Sequence, residues 1–255
     1  MAPEMTEFSA SGDPKRSLEL LWGLQEPPSR GPKARFTVEE VTRVAIELAD
    51  TAGLAALSMR KVAEELGVGT MSLYTYVPGK AELLDLMVDA VVAETARPED
   101  VPGGWRGRLE QVARENAAVY RRHPWLLQVA TARPPMGPNV IAKYDYELRA
   151  LEGTGLTDVE MDQVLALVLG FVHTAMRGVI ETEQAARRSG QSDVQWWESY
   201  APLLEKIFDP ERFPVAARVG SASGEAYQAP ADPHAFEFGL ARILDGVEAL
   251  IASRS

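Results

Sequence analysis

The stretch from residue 57 to residue 80 constrains the fold most, because it holds two short helical patterns separated by a tight turn. Ser58 can cap the first pattern by accepting a hydrogen bond from a backbone N–H of the first helical turn. Gly67 stands where helices commonly end in a left-handed residue, a conformation that glycine adopts without strain. A second helix is predicted over residues 70–77, and Pro78 and Gly79 end it. Two helices joined in this way form a helix-turn-helix, whose second helix enters the DNA major groove.

The second helix of this pair carries side chains suited to nucleic acid. Leu73 and Val77 lie four residues apart and are predicted to face inward. The outward positions hold hydroxyls, phenols and one thioether, at Thr70, Met71, Ser72, Tyr74, Thr75 and Tyr76. Hydroxyls can bond to base edges and a phenol can reach a phosphate oxygen. The alternative is a helical hairpin within an ordinary core, which leaves the outward aromatic side chains unexplained.

Residues 37–96 resemble the N-terminal domain of the TetR family of bacterial repressors. The family's signature run, Leu-Gly-Val-x-x-x-x-Leu-Tyr-x-Tyr-Val-x-x-Lys, stands here from Leu66 to Lys80. The resemblance implies an all-α protein: a three-helix helix-turn-helix DNA-binding domain followed by a larger helical bundle for ligand binding and dimerisation. It also implies that base edges are contacted by Arg60, Thr70, Met71 and Ser72, and phosphates by Tyr74, Tyr76 and Lys80.

Residues 1–35 form the first of three predicted parts. They contain five prolines and few apolar residues outside the run 18–24. This composition predicts a flexible arm with a possible short helix. The basic stretch 30–35 is either an arm that reaches into the DNA minor groove or a solvated linker.

The other two parts are the DNA-binding domain, residues 36–97, and the ligand-binding and dimerisation domain, residues 104–255. A capping box at Thr37 and Glu40 opens the first, and a linking helix from about residue 80 to residue 96 closes it. Helices of the larger domain are predicted at 105–121, 124 to just before 134, 138–151, 158–188, 194–208 and 232–252, with a loop over 209–231 and no strand.

The helix predicted over residues 158–188 is the longest, and a second capping box at Thr157 and Glu160 opens it. Its residues 161–180 are apolar on nearly every side, which predicts burial on every side. In the TetR family such a helix and the last helix pack against their symmetry mates. The resemblance therefore implies a homodimer.

Large and adaptable side chains in the larger domain predict a pocket for an unknown, hydrophobic small-molecule effector. The candidate ligand contacts are Trp125, Met136, Tyr144, Phe171, His173 and Met176. Methionine suits sites that repack around different ligands, and His173 on an apolar helix needs a polar partner, either a carbonyl or the effector. A plain core role is the alternative for each of these residues.

The segment 116–134 is similar to the corresponding segment of the tetracycline-responsive members of the family. Those members place metal-chelating histidines where this chain has Ala96 and Val129. Magnesium–tetracycline is therefore not the expected ligand.

Other chemistry finds little support in the sequence. There is no cysteine, so a disulfide, a thiolate zinc site and a cysteine nucleophile are excluded. The Gly67-x-Gly69 pair is not a dinucleotide-binding motif, because no strand precedes it and the third glycine is missing. The three histidines are far apart in the sequence and match no metal-binding spacing. We expect no catalytic site, no metal and no cofactor. Since no apolar run approaches the ~18 residues that span a membrane, we expect a cytoplasmic protein without a membrane partner.

The net charge of −11 opposes DNA binding through a broad basic surface. Residues 37–80 themselves carry four basic and six acidic side chains. The positively charged part of the DNA-binding surface is therefore expected to be small and to consist of Arg60, Lys80 and the basic arm. The acidic side chains of this segment are expected to point away from the DNA: Glu39, Glu40, Glu64 and Glu65.

These features together predict a transcriptional repressor. It would bind a palindromic double-stranded operator as a homodimer and leave it when an effector binds. An activator or dual regulator of the same fold is the first alternative, since the sign of regulation depends on where the operator lies. An all-α ligand-binding protein without a DNA function is the second, and an enzyme is the third.

Overall fold

The computed structural model describes residues 7–25, 35–130, 133–227 and 234–254. These residues form eleven α-helices and one short pair of parallel strands. The helices are α1 (Pro14–Leu21), α2 (Val38–Ala52), α3 (Met59–Glu65), α4 (Thr70–Leu73), α5 (Lys80–Val92), α6 (Gly104–Arg122), α7 (Pro138–Leu148), α8 (Asp158–Ser189), α9 (Asp193–Leu204), α10 (Pro214–Tyr227) and α11 (Ala235–Ala252). The strands are β1 (Glu7–Phe8) and β2 (Val129–Ala130). The all-α prediction is confirmed.

The chain divides into two compact units. The first contains the described residues up to Leu169 together with Arg254, and the second runs from Gly170 to Ser253. Helix α8 begins in the first unit and ends in the second.

Two capping boxes open helices where the sequence predicts them. The Thr37 hydroxyl accepts from the Glu40 N–H at 3.2 Å, and the Glu40 carboxylate accepts from the Thr37 N–H at 2.8 Å. Thr157 and Glu160 make the same reciprocal pair at the start of α8. Each pair satisfies two backbone donors that the first helical turn leaves without a partner.

One apolar core in the first unit holds the helix-turn-helix in place. It combines buried side chains of α1 to α5 with Trp125, Leu126 and Val129. Burying one side chain of Leu or Val size stabilises a fold by roughly 1.5–3 kcal/mol. The DNA-binding helices are therefore fixed against the chain that follows α6, not only against each other.

The N-terminal part is more ordered than predicted. Helix α1 begins at Pro14, with the Asp13 carboxylate capping it, and it buries Leu20 and Leu21 against the rest of the first unit. The possible short helix of the N-terminal part is therefore confirmed, although it begins at Pro14. The prediction of a flexible arm is wrong for the described residues around it, because the short apolar run packs on α5. Most of the basic stretch 30–35 lies outside the described residues.

Two predictions for the larger domain are wrong. The chain after Pro124 forms a 3₁₀ turn up to Gln128 and then β2, because pairing with β1 takes the backbone groups that a helix would use. The predicted loop over 209–231 contains α10, which starts at a proline suited to a first helical turn and is rich in alanine. The proposed cap at Asp232 and Pro233 lies outside the described residues.

Within the single chain, helix α8 is buried on one face only, and the predicted burial of its other faces is not found there. Val168, Val172 and Met176 are buried, whereas Leu167 is 55% exposed. An 18-residue stretch of this helix has mean hydropathy 1.6, so by length and composition alone it could cross a membrane. Core helices of soluble proteins share these properties, and the prediction that no run comes close to this limit is wrong.

Candidate nucleic-acid interface

The turn between α3 and α4 has the geometry that the sequence predicts. The Ser58 hydroxyl caps α3 by accepting from the Lys61 N–H at 3.2 Å. Gly67 adopts φ +65°, and the next N–H, of Val68, donates back to the Ala63 carbonyl at 3.0 Å. The chain thus reverses within a few residues and starts a second helix.

Helix α4 is shorter than the predicted 70–77. Its α-helical part ends at Leu73, and a looser turn follows in which the N–H groups of Tyr76 and Val77 both donate to the Leu73 carbonyl. Pro78 and Gly79 then lead into α5 at Lys80.

The inner and outer faces of this segment separate as predicted. Leu73 and Val77 are fully buried. Met71 is 79% exposed and Tyr74 is 42% exposed, and Ser72 and Thr75 are exposed beside them. Thr70 and Tyr76 are half-buried. The outer face therefore combines one apolar thioether with hydroxyl and phenol groups.

Tyr76 is held more firmly than the other outward side chains. Its ring lies edge-on to Phe36, with 6.4 Å between ring centroids, and its hydroxyl oxygen accepts from the Arg35 N–H at 3.0 Å. The hydroxyl proton is left to donate, and a phosphate oxygen is a suitable acceptor. The Thr75 hydroxyl, in contrast, donates to the Ser72 carbonyl at 2.6 Å within the turn.

The two predicted cationic contacts are already paired with carboxylates. Arg60 is exposed, and its Nε donates to Glu64 at 2.8 Å, which raises the pKa of Arg60 and lowers that of Glu64. Glu64 also lies 3.0 Å from the ammonium of Lys61. The prediction that Glu64 turns away is therefore wrong. Lys80 Nζ donates to Glu7 at 2.7 Å.

Comparison with known proteins identifies the domain that carries this surface. Residues 41–87 match the family described as "Bacterial regulatory proteins, tetR family", and residues 97–251 match "Tetracyclin repressor-like, C-terminal domain". The chain is 48% identical to the HTH-type transcriptional repressor DrrR1 of Streptomyces coeruleorubidus, over 98% of this chain and 91% of that protein. The chain belongs to the TetR family.

Solved structures of this family have the same fold. Apo ActR from Streptomyces coelicolor matches with a TM-score of 0.70 and 28% identity, over 88% of this chain and 100% of ActR. ActR in complex with actinorhodin matches with a TM-score of 0.69 and 30% identity, over 86% and 99% of the two chains. This TetR-family protein is a transcriptional regulator with a helix-turn-helix domain and a helical C-terminal domain.

The predicted ligand contacts of this TetR-family protein are divided between the two compact units. Trp125, Met136 and Tyr144 lie in the first unit, and Phe171, His173 and Met176 lie in the second. Trp125 is a core residue whose indole N–H donates to Asp50 at 2.8 Å. Met136 is exposed, and Tyr144 is exposed with its hydroxyl donating to Asp162 at 2.7 Å.

The second-unit candidates share α8. Phe171 packs against Phe236 with ring centroids 5.7 Å apart, and Met176 is buried. Burial lowers the pKa of His173, and the positive charge of Arg177 lowers it further. His173 is therefore poised to be a neutral hydrogen-bonding group near pH 7.

Two features of the first unit are not predicted by the sequence. A cavity of about 640 Å³ lies between α1, α2 and α5 and includes none of the predicted ligand contacts. Its lining residues include Leu20, Ile46, Leu86, Asp89 and His123. They are scattered over about a hundred residues and no local signal connects them.

The second missed feature is a buried polar network on α6 and α7. The Glu147 carboxylate accepts from Asn116 Nδ2 at 2.6 Å and from Lys143 Nζ at 2.8 Å. Burial raises the pKa of the neighbouring Tyr120 to about 12, with a further contribution from the charge of Glu147. The four-residue spacing of Lys143 and Glu147 could have predicted their ion pair, but not its burial.

Proposed function

We propose that this TetR-family protein represses transcription by binding a near-palindromic operator as a homodimer, with α4 in the major groove. The observation that carries the proposal is the division of α4 and its following turn into two faces. The inner face, Leu73 and Val77, is fully buried and fixes the segment. The outer face offers Met71, Ser72 and Tyr74 to a partner.

Each outer side chain has a proposed contact. Arg60, Thr70, Met71 and Ser72 address base edges, where hydroxyls, methyl groups and a guanidinium can discriminate between base pairs. Tyr74, Tyr76 and Lys80 contact phosphates, which position the protein without reading sequence, and Thr75 lies beside them. DNA oxygens would compete with Glu64 and Glu7 for the Arg60 and Lys80 cations, so binding depends on these local charges.

The proposed dimer uses the apolar faces of α8 and α11. Leu167 on α8 is 55% exposed and Phe238 on α11 is 64% exposed in the single chain. A two-fold axis would bury both surfaces against their own copies. This arrangement accounts for the high hydropathy of α8 in a cytoplasmic protein with no membrane partner.

The proposed effector is a hydrophobic small molecule that binds the C-terminal domain. ActR, a structural relative of this protein, is known in complex with actinorhodin. Phe171, His173 and Met176 share one helix and are the contacts that we retain first, followed by Trp125, Met136 and Tyr144. The effector would favour a state in which the two α4 helices no longer match the groove spacing. The coupling free energy between effector binding and DNA binding is typically about 1–3 kcal/mol.

Magnesium–tetracycline is not proposed, because Ala96 and Val129 offer no metal ligand. No catalytic activity is proposed.

Selection of bound fragments from random and genomic DNA tests the proposal. We expect enrichment of a two-fold symmetric sequence. Ser72→Ala or Arg60→Ala should relax the preference at defined bases, whereas Tyr74→Ala should weaken binding to all sequences alike. Recovery of no preferred sequence, with the folded protein present, would rule the proposal out.

A further inference from the structure

The segment Glu7–Trp22, which we call the N-terminal strap, lies outside both family matches, since these begin at residue 41. It is nevertheless bound at both ends. Strand β1 pairs in parallel with β2, and the Ser9 hydroxyl donates to the carbonyls of Ala130 at 3.1 Å and Arg133 at 2.9 Å. The Trp22 indole N–H donates to the Met136 carbonyl at 2.9 Å. The strap is therefore anchored on residues of the C-terminal family match.

The middle of the strap is fastened to α5. The Asp85 carboxylate is buried and accepts from the Ala10 N–H at 2.7 Å through one oxygen and from the Ser17 hydroxyl at 2.8 Å through the other. Ala10 adopts φ +50°, which is unfavourable for a residue with a Cβ atom. Such a conformation persists only where surrounding contacts hold it. The strap thus joins α5 to the segment 129–136 in one defined position.

This position places Glu7 on Lys80. The Lys80 ammonium lies 2.7 Å from a Glu7 oxygen, and only 34% of the Lys80 side chain and 27% of the Glu7 side chain are exposed. Lys80 is the first residue of α5 and follows the α4 segment directly. The Glu7 carboxylate therefore accepts from one of the three N–H donors of this ammonium and offsets its positive charge, the two properties by which Lys80 would attract a DNA phosphate.

We propose that the strap is an internal competitor of DNA, in which the Glu7 carboxylate and a DNA phosphate compete for the Lys80 ammonium. The inference rests on the proposed function, and in particular on the phosphate contact of Lys80. Because β2 and residue 133 fix the position of Glu7, the same strap makes the availability of Lys80 depend on the C-terminal domain. The lost pair costs affinity for every DNA sequence equally, since phosphate contacts carry no base information.

Glu7→Gln tests this inference, because it removes the charge and keeps the shape. An ion pair near the protein surface contributes up to about 1 kcal/mol, which corresponds to up to about fivefold in affinity per half-site. For a dimer with two such pairs we expect tighter binding by up to about twenty-five-fold. The gain should be the same on the selected operator and on a random duplex.

Glu19→Gln is the matched control, since it removes one negative charge from the same strap at a residue paired with Lys15, not Lys80. It should change affinity little. In a Lys80→Ala background, Glu7→Gln should have no effect. Circular dichroism of each variant verifies that it is folded.

The outcomes separate the inference from the proposed function. If Glu7→Gln matched Glu19→Gln, or if its gain persisted without Lys80, the strap would not compete with DNA although repression would stand. If Lys80→Ala left affinity unchanged, the competition would likewise be refuted. If the wild-type protein bound no preferred DNA, the proposed function itself would fail.

Discussion

Gly67→Ala probes the turn on which the recognition surface depends. Gly67 has φ +65°, and a Cβ atom added there would meet nothing within 4 Å. The cost of the substitution is therefore conformational and not steric. A left-handed backbone costs an L-residue about 1–2 kcal/mol, and the lower entropy of the unfolded alanine chain returns about 0.5–1 kcal/mol of that. We expect a net destabilisation of about 0.5–1 kcal/mol.

Gly69→Ala is the matched control two residues away. Gly69 also has open space around its Cα, but its φ is −71°, which alanine adopts freely. Alanine at this position stabilises the protein by about 0.4–1 kcal/mol, because it lowers the entropy of the unfolded chain. It destabilises the protein by about the same amount, because alanine is a poorer N-cap residue than glycine. The net change in the free energy of unfolding should be close to zero.

Denaturant unfolding followed by circular dichroism compares the two variants, and amide hydrogen exchange over residues 57–77 localises the effect. We expect faster exchange in this region for Gly67→Ala only. Equal stability and equal exchange for the two variants would refute the left-handed turn and with it the placement of α4.

Three further predictions concern single side chains. Leu73→Ala should destabilise the protein by about 2–5 kcal/mol, because it leaves a cavity at a fully buried site. Met71→Ala on the exposed face should change stability by less than about 0.5 kcal/mol. In a titration with operator DNA, Met71→Ala should weaken binding. Asp50→Ala should cost about 1–3 kcal/mol and shift the tryptophan emission, because the indole N–H of buried Trp125 loses its acceptor. The pKa of His173 is lower in the folded protein than in the unfolded chain, so on acidification the unfolded chain binds the proton first. The free energy of unfolding should therefore fall as the pH drops below the ordinary histidine value of 6.5. His173→Gln should remove that part of the pH dependence of unfolding.

Each of these predictions has an outcome that contradicts it. Equal losses of stability for Leu73→Ala and Met71→Ala would mean that α4 does not have one buried and one exposed face. An unchanged emission spectrum for Asp50→Ala would place the indole elsewhere. A pH profile unaltered by His173→Gln would show that this imidazole is equally solvated in the folded and unfolded chains.

The parts of the fold that the sequence predicted well are those with local causes. The Ser58 cap, the Gly67 turn and the Thr37 capping box each depend on residues within a few positions of one another. Their bonding partners are fixed by helical geometry, so residue type and spacing are enough to identify them.

The parts that could not be predicted depend on contacts between distant residues. Lys80 and Glu7 are 73 positions apart, and Ser9 bonds to Ala130 across 121 positions. A two-residue strand such as β2 is also too short to show an alternating pattern. The sequence therefore predicts an arm in place of the strap and a helix after Pro124.

The ligand pocket was hard to predict for a different reason. Large apolar side chains serve equally in cores and in pockets, and Trp125 and Met176 are both buried, so residue type does not separate core residues from ligand contacts. Only the position of a side chain in the fold distinguishes the two roles. The roles of these candidates in effector binding stay predictions.

Hydroxyl-radical footprinting of the protein on its selected DNA fragment tests the central proposal most directly. We expect two protected blocks related by a two-fold axis, with centres about one helical turn or a multiple of it apart on one face of the duplex. A Thr70→Ala, Ser72→Ala double variant should lose the two blocks on this fragment at concentrations where the wild-type protein protects them. Uniform protection along any duplex, or protection unaffected by the double variant, would contradict a dimer that reads its operator through α4.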